Sequence, residues 1–189
     1  MSARSALGTC LLFLWLAAPP AVAADALPRG NCAQPQPLTD LAHCDFSRRK
    51  LAGRDLHGVR LAGAKLESTD LRKADLRGAD LSRSNAKWAL FTGAQLKDAD
   101  LRNADLFHAI FDEADLSGAR LAGAYLFGAN LIDARAPKAD FTGAYLKDVL
   151  MEGIDLSGGS IRNCYTFRGV FVGAKLVGAD LSGADLTGA

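Results

Sequence analysis

The chain has little with which to do covalent chemistry. It holds three histidines in 189 residues, and His43, His57 and His108 stand beside no Ser or Cys in a recognisable nucleophile–base motif. Its 19 glycines form no phosphate loop between a strand and a helix; most recur at a spacing of five. There is no excess of one charge: 22 Lys and Arg face 21 Asp and Glu, which argues against a general nucleic-acid binder. Long apolar runs are missing after the N-terminus, so no segment of the mature chain is expected to cross a membrane. These absences point away from an enzyme, a cofactor and a bound metal.

The one apolar run, Leu7 to Ala18, reads as a secretion signal. Arg4 supplies its positive flank and Ala21-Val22-Ala23 a cleavage site. Residues 1–23 are thus expected to be removed and the product to be periplasmic or secreted. Without Arg4 the remaining 21 basic groups balance 21 acidic ones. Their distribution is uneven. Residues 46–90 hold 11 basic and 5 acidic groups, and residues 91–189 hold 9 and 13. A solvated surface explains such an imbalance; attraction of an anionic partner to Arg48, Arg49, Lys50 and Arg54 is the sharper reading. Export favours oxidation, so Cys32 and Cys44 are expected to form a disulfide that staples an N-terminal cap. A metal site of Cys32, His43 and Cys44 is the alternative, with no fourth ligand evident. Cys164 reads as a buried thiol.

What is abundant is a period of five. From Phe46 to Leu186, every fifth residue gives 29 positions, and 26 of them are Leu, Phe, Ile or Met. The exceptions are Ala86, Ala136 and Thr166. Two residues earlier, 18 of 29 are Ala; two later, 15 are Gly; just before, 14 are Asp or Asn. A period of five fits neither an α-helix nor a flat strand. It fits a chain that turns a corner at every unit, so that four units close a square with the large and the small residue inside. Each coil buries its face only against its neighbours. Gly suits a turn residue with positive φ, and Asp or Asn can bond the local backbone.

Units such as Ala74-Asp75-Leu76-Arg77-Gly78 and Ala184-Asp185-Leu186-Thr187-Gly188 resemble those of the pentapeptide repeat proteins. The resemblance covers about residues 41–189. It implies an all-β fold, a right-handed quadrilateral β-helix with 20 residues per coil and about seven coils, roughly 35 Å long at the ~4.8 Å spacing of strands. The domain reading is a signal peptide (1–23), a linker and disulfide-stapled cap (24–45) and the β-helix (46–189). Residues 38–44 are expected to make one helical turn, and a bulge is expected at Gly158-Gly159, where the repeat loosens.

With 20 residues per coil, positions 20 apart stack on one face. One face then collects Tyr125, Tyr145 and Tyr165 in one column, Phe107, Phe127 and Phe167 in the next, and Trp88 and His108 beside them. Leu90 and Ile110 continue the patch round the corner, with Leu150 and Val170 beyond. These are the expected partner-binding residues, since a contiguous exposed apolar patch usually marks a contact site. A ladder that only stiffens the rod is the plainer reading, and sugar stacking a third. The expected function is a non-catalytic exported interaction module that binds a protein partner or a second copy. The best-known members of the family mimic DNA and shield gyrase from quinolones; an export signal and a neutral charge set this chain apart from them. A structural envelope spacer is a further alternative. The open edge of the last coil is expected to be available for pairing.

Overall fold

From Asp40 onward, every fifth residue pairs in parallel with the residue 20 further on, beginning with Asp40↔Arg60 and ending with Tyr165↔Asp185. This unbroken register is the fold: a four-sided parallel β-helix. It is seen in a computed structural model that describes residues 27–189; the expected signal segment lies outside them.

Each unit up to the last coil distributes its backbone groups in the same way. The amide of a central residue donates forward, as Leu51 does to the Asp70 carbonyl at 2.7 Å, and so does the amide two residues later, Gly53 to Arg72 at 2.8 Å. The amide before the centre donates backward, as Asp70 does to Arg49 at 2.9 Å. A fourth closes the corner locally, Ala74 to Leu71 at 3.0 Å. The fifth is served by a side chain where Asp or Asn precedes the centre: Asp80 Oδ1 accepts from the Ser82 amide at 3.0 Å, and Asp140 Oδ1 from that of Thr142 at 2.9 Å. The repeat's polar residue is thus a corner brace that leaves no donor unserved. These bonds help hold the Asp180 and Asp185 carboxyls below the ordinary carboxylate range, the Ser182 and Thr187 side-chain contacts being the larger cause.

The corner also demands a left-handed residue. Gly63 supplies it at φ 69°, yet Trp88 at 54° and His108 at 51° adopt it too. The corner geometry is set by the ladder and not by glycine.

Inside, the central Leu, Phe and Met side chains and the Ala two residues before them form one continuous buried column. Phe91 and Phe111 stack at 4.6 Å between ring centres. The exceptions among the centres are buried as well; Thr166 hides its hydroxyl by donating to the Asp185 carbonyl at 2.5 Å.

Three details differ from the sequence reading. The ladder reaches back to Asp40, and Leu41 is fully buried, so the coil starts one unit before Phe46. Residues 38–44 form corners in coil register and no helical turn, with Leu38 at φ 54°. No bulge forms at Gly158-Gly159, because Asp140↔Ser160 and Tyr145↔Tyr165 keep the 20-residue register. The looser composition there is a volume compensation. Val149, Ile154 and Cys164 enlarge the buried column, while Gly159 and Gly169 take less room.

That compensation carries a prediction. Ala is the commonest residue at the Gly159 position of the unit, and Gly→Ala at a tolerant site is stabilising. Here an added Cβ would lie 2.8 Å from the Ala139 carbonyl oxygen and 2.9 Å from Leu156 Cδ1. Gly159→Ala is therefore expected to lose about 1–3 kcal/mol by overpacking. A urea midpoint that rises instead would show that the space exists.

At the N-terminus, Cys32 and Cys44 form a disulfide with Cα atoms 5.5 Å apart. The Arg49 guanidinium donates to the Cys32 and Ala33 carbonyls and lies 5.4 Å from the centre of the Phe46 ring. It closes the open end of the buried column, which explains why a large cation stands where later units carry Ala.

Candidate interaction surface

The repeat positions the aromatic residues of the first face without any special local device. Residues just before a centre form one outward column and residues just after it another. Parallel pairing at one coil per 20 residues puts like positions directly above one another. Tyr125, Tyr145 and Tyr165 stack at 5.1 and 5.2 Å between ring centres. Phe107 and Phe127 stack at 5.5 Å in the next column. The two columns interlock, with Phe107 6.4 Å from Tyr125, Phe127 6.5 Å from Tyr145 and Phe167 6.2 Å from Tyr165. Trp88 closes the N-terminal end with its ring edge-on to Phe107 at 5.3 Å. His108 lies edge-on to both Phe107 and Phe127. The expected residues of this face do come together in one cluster.

Their exposure is uneven. Trp88, Tyr125 and Tyr165 expose 45%, 40% and 37% of their surface, while Phe107, Phe127, Tyr145 and Phe167 are half-buried, as are Leu90 and Ile110 on the next face. Stacking covers ring faces and leaves edges and hydroxyls outward. That geometry weakens the sugar-stacking reading, because a pyranose packs on an open ring face. A surface of aromatic edges with a polar rim suits a protein partner.

Lys147 is the member of the cluster that the sequence reading missed. It occupies the gap between Phe127 and Phe167 in their column, with Nζ 5.7 and 5.8 Å from the two ring centres. The signal was its position, 20 residues from each phenylalanine; the long stem continues the apolar column and the ammonium meets two rings. Ion pairs rim the face. Lys87 meets Asp105 at 3.2 Å, and Arg168 grips Asp148 at 2.6 and 2.8 Å while its guanidinium carbon lies 5.5 Å from the Phe167 ring centre. The Arg168 hydrogen bonds hold the Asp148 carboxyl below its ordinary range.

Other expected sites resolve differently. Cys32 and Cys44 are joined, so they offer no thiolates to a metal alongside His43. Asp55, His57 and Asp75 converge within 4.8 Å, but Arg77 already donates to both oxygens of Asp75. The basic group expected to attract an anion loses Arg49 to the cap. The third face has an open notch of about 480 Å³ floored by Ser117 and Gly118, where Lys97, Arg135 and Lys138 are offset by Asp98 and Asp115. Among the described residues no helix is long and apolar enough to cross a membrane.

Five-residue units stacked at a 20-residue pitch define a repeat solenoid. The chain belongs to the pentapeptide repeat family, whose pattern matches in eight copies over residues 39–83, 55–96, 69–106, 87–123, 124–163 and 170–189. No curated protein matches it. Among solved structures, a trypsin-treated form of QnrB1, a plasmid-mediated fluoroquinolone resistance protein, is 26% identical, with 72% of this chain and 69% of that chain covered and a TM-score of 0.39. HetL, involved in heterocyst differentiation regulation in the cyanobacterium Nostoc sp. strain PCC 7120, is 26% identical over 79% of this chain and 85% of its own, with a TM-score of 0.34. A pentapeptide repeat protein from the thylakoid lumen of Arabidopsis thaliana is 31% identical over 55% and 69%, with a TM-score of 0.32.

Proposed function

We propose that the protein is an exported, non-catalytic interaction module, a rigid rod of about seven coils that docks a protein partner on its aromatic face. The observation that carries this reading is the continuous cluster of seven outward aromatic side chains and Lys147 on one face. The structural alternative, a ladder that only stiffens the rod, accounts for the stacking but not for Trp88 and Tyr125, which leave almost half their surface in water. Export is supported by the signal-like N-terminus and by a disulfide that an oxidising compartment would maintain. The balanced charge speaks against a DNA mimic.

The test is site-specific photocrosslinking in the native host. A benzoylphenylalanine at Tyr125 should capture a discrete protein adduct, and the same probe at Lys97, exposed on the opposite face, should not. Tyr145→Glu, which places a carboxylate in the centre of the ladder, should remove the adduct and leave the thermal melt within a few degrees of the parent. An adduct indifferent to Tyr145→Glu, or none from any ladder position, would overturn the reading.

A further inference from the structure

The second face, round the corner from the aromatic cluster, has a charge pattern that runs in one direction. Leu90 and Ile110 pair across adjacent coils at its centre and are half-buried. On the N-terminal side of this pair lies Lys73, exposed and without an ion-pair partner among the described residues. On the C-terminal side lie Asp112, Glu113 and Asp133, also without a cation. Asp112 is the most conspicuous of these. Its Oδ1 is buried with no hydrogen-bond partner, and its Oδ2 has a long contact, 3.4 Å, from Asn130 Nδ2. Burial is the largest influence and pushes its carboxyl upward; a backbone contact from Ile132 opposes it, and the Glu113 and Asp133 charges add to it. Three acids crowd one stretch of the face, and no cation among the described residues pairs with them.

We propose that a second copy of this chain covers this face, in antiparallel orientation, with the two-fold axis passing between the coils of Leu90 and Ile110. Two rods laid face to face are related by a two-fold axis in the plane of contact. An axis along the rod would bring like charges together. An axis across the rod preserves each column and reverses its direction. It then sets Leu90 on the partner's Ile110 and Ile110 on the partner's Leu90. In the column two residues after the centre, the same operation sets Lys73 on the partner's Asp133. Lys73 also comes within one coil, ~4.8 Å along the rod, of the partner's Glu113. One register therefore satisfies the apolar centre and both charged flanks, and every contact occurs twice. Asp133 and Glu113, which lack a cation within one chain, gain Lys73 from the other.

This inference is independent of the proposed function. The ladder from Tyr125 to Tyr165 lies on the neighbouring face and stays open in such a dimer, so one face assembles the protein and the other is left for a different partner.

Sedimentation velocity of the purified protein over a concentration series should show a monomer–dimer equilibrium that weakens with salt. Lys73→Glu sets carboxylate on carboxylate and should leave a monomer; Asp133→Lys sets ammonium on ammonium and should do the same. An equimolar mixture of the two variants should recover the dimer, because each contact is then Glu on Lys or Lys on Asp. The double variant Lys73→Glu/Asp133→Lys should dimerise alone. Thermal melts of both single variants confirm that they are folded. A parent protein that is monomeric throughout, or a dimer unmoved by either substitution, would overturn the proposal. So would single variants that stay monomeric when mixed. Tyr145→Glu should leave the dimer intact, so failure here and failure of the aromatic-face reading are separate results.

Discussion

Phe111→Ala is expected to remove about 3–5 kcal/mol of stability, the range for truncating a buried aromatic. The ring is fully buried and lies 4.6 Å from that of Phe91, nearly parallel at 3°. Truncation removes the stacking contact together with the apolar area. The surroundings cannot collapse into the space, because the backbone above and below is pinned by the ladder: Phe111 donates to the Asn130 carbonyl at 2.7 Å, and Ile110 to that of Ala89 at 3.0 Å. Neighbouring coils are the only support a solenoid coil has, so the loss is felt across the junction. Equilibrium urea unfolding measures it. The double variant with Phe91→Ala should lose less than the sum of the two single variants, because the ring pair is broken by either change. A loss below about 1 kcal/mol would show that the interior is not packed against the ladder as described.

Opening the Cys32–Cys44 bridge should lower stability by about 2–4 kcal/mol, on a chain-entropy view of a short closed loop. The two cysteines are 12 residues apart and tie the segment that lies over Leu41 to the first coil. Backbone bonds from Gly30 to the Asp40 carbonyl and from Asp40 to that of Pro28 hold the same segment. The reduced chain retains those bonds and the Arg49 cap, but loses the constraint that keeps them in place when the first coil frays. A domain of this size should melt roughly 5–12 °C lower under reductant. Coincident melts with and without reductant would show that the cap is held by its hydrogen bonds alone. Cys164 does not complicate the experiment: burial pushes its thiol up to about 11, so little thiolate exists at neutral pH to exchange with the bridge.

The interior was legible because it is periodic. A Leu or Phe every five residues with Ala two before it admits one arrangement, and the burial of Leu96, Ala94 and their equivalents follows it. The aromatic face was legible for the same reason: a 20-residue pitch places Tyr125, Tyr145 and Tyr165 in line before any coordinates are seen. What escaped depends on residues off the period. Arg49 read as part of a basic surface group, and only the cap, which has no repeat, shows that it is engaged by the Cys32 and Ala33 carbonyls. The absence of a bulge at Gly158-Gly159 depends on volumes summed over Val149, Ile154 and Cys164, which composition at one unit does not show. Lys147 was passed over because a cation does not look like part of an aromatic column until its stem is seen between Phe127 and Phe167.

The regular distribution of amide bonds makes the rod electrically polar before any side chain is counted. In each unit before the last coil two amides donate toward the C-terminal end and one toward the N-terminal end. The third pair of peptide dipoles therefore does not cancel the first two, unlike the near-cancellation of an ordinary sheet. The excess is repeated along the axis, with its positive pole at the C-terminal end, the reverse of an α-helix. The side-chain charges oppose this field: the basic excess of residues 46–90 sits toward the negative pole and the acidic excess of residues 91–189 toward the positive one. An uneven surface composition thus works as a counter-charge that the backbone itself sets up.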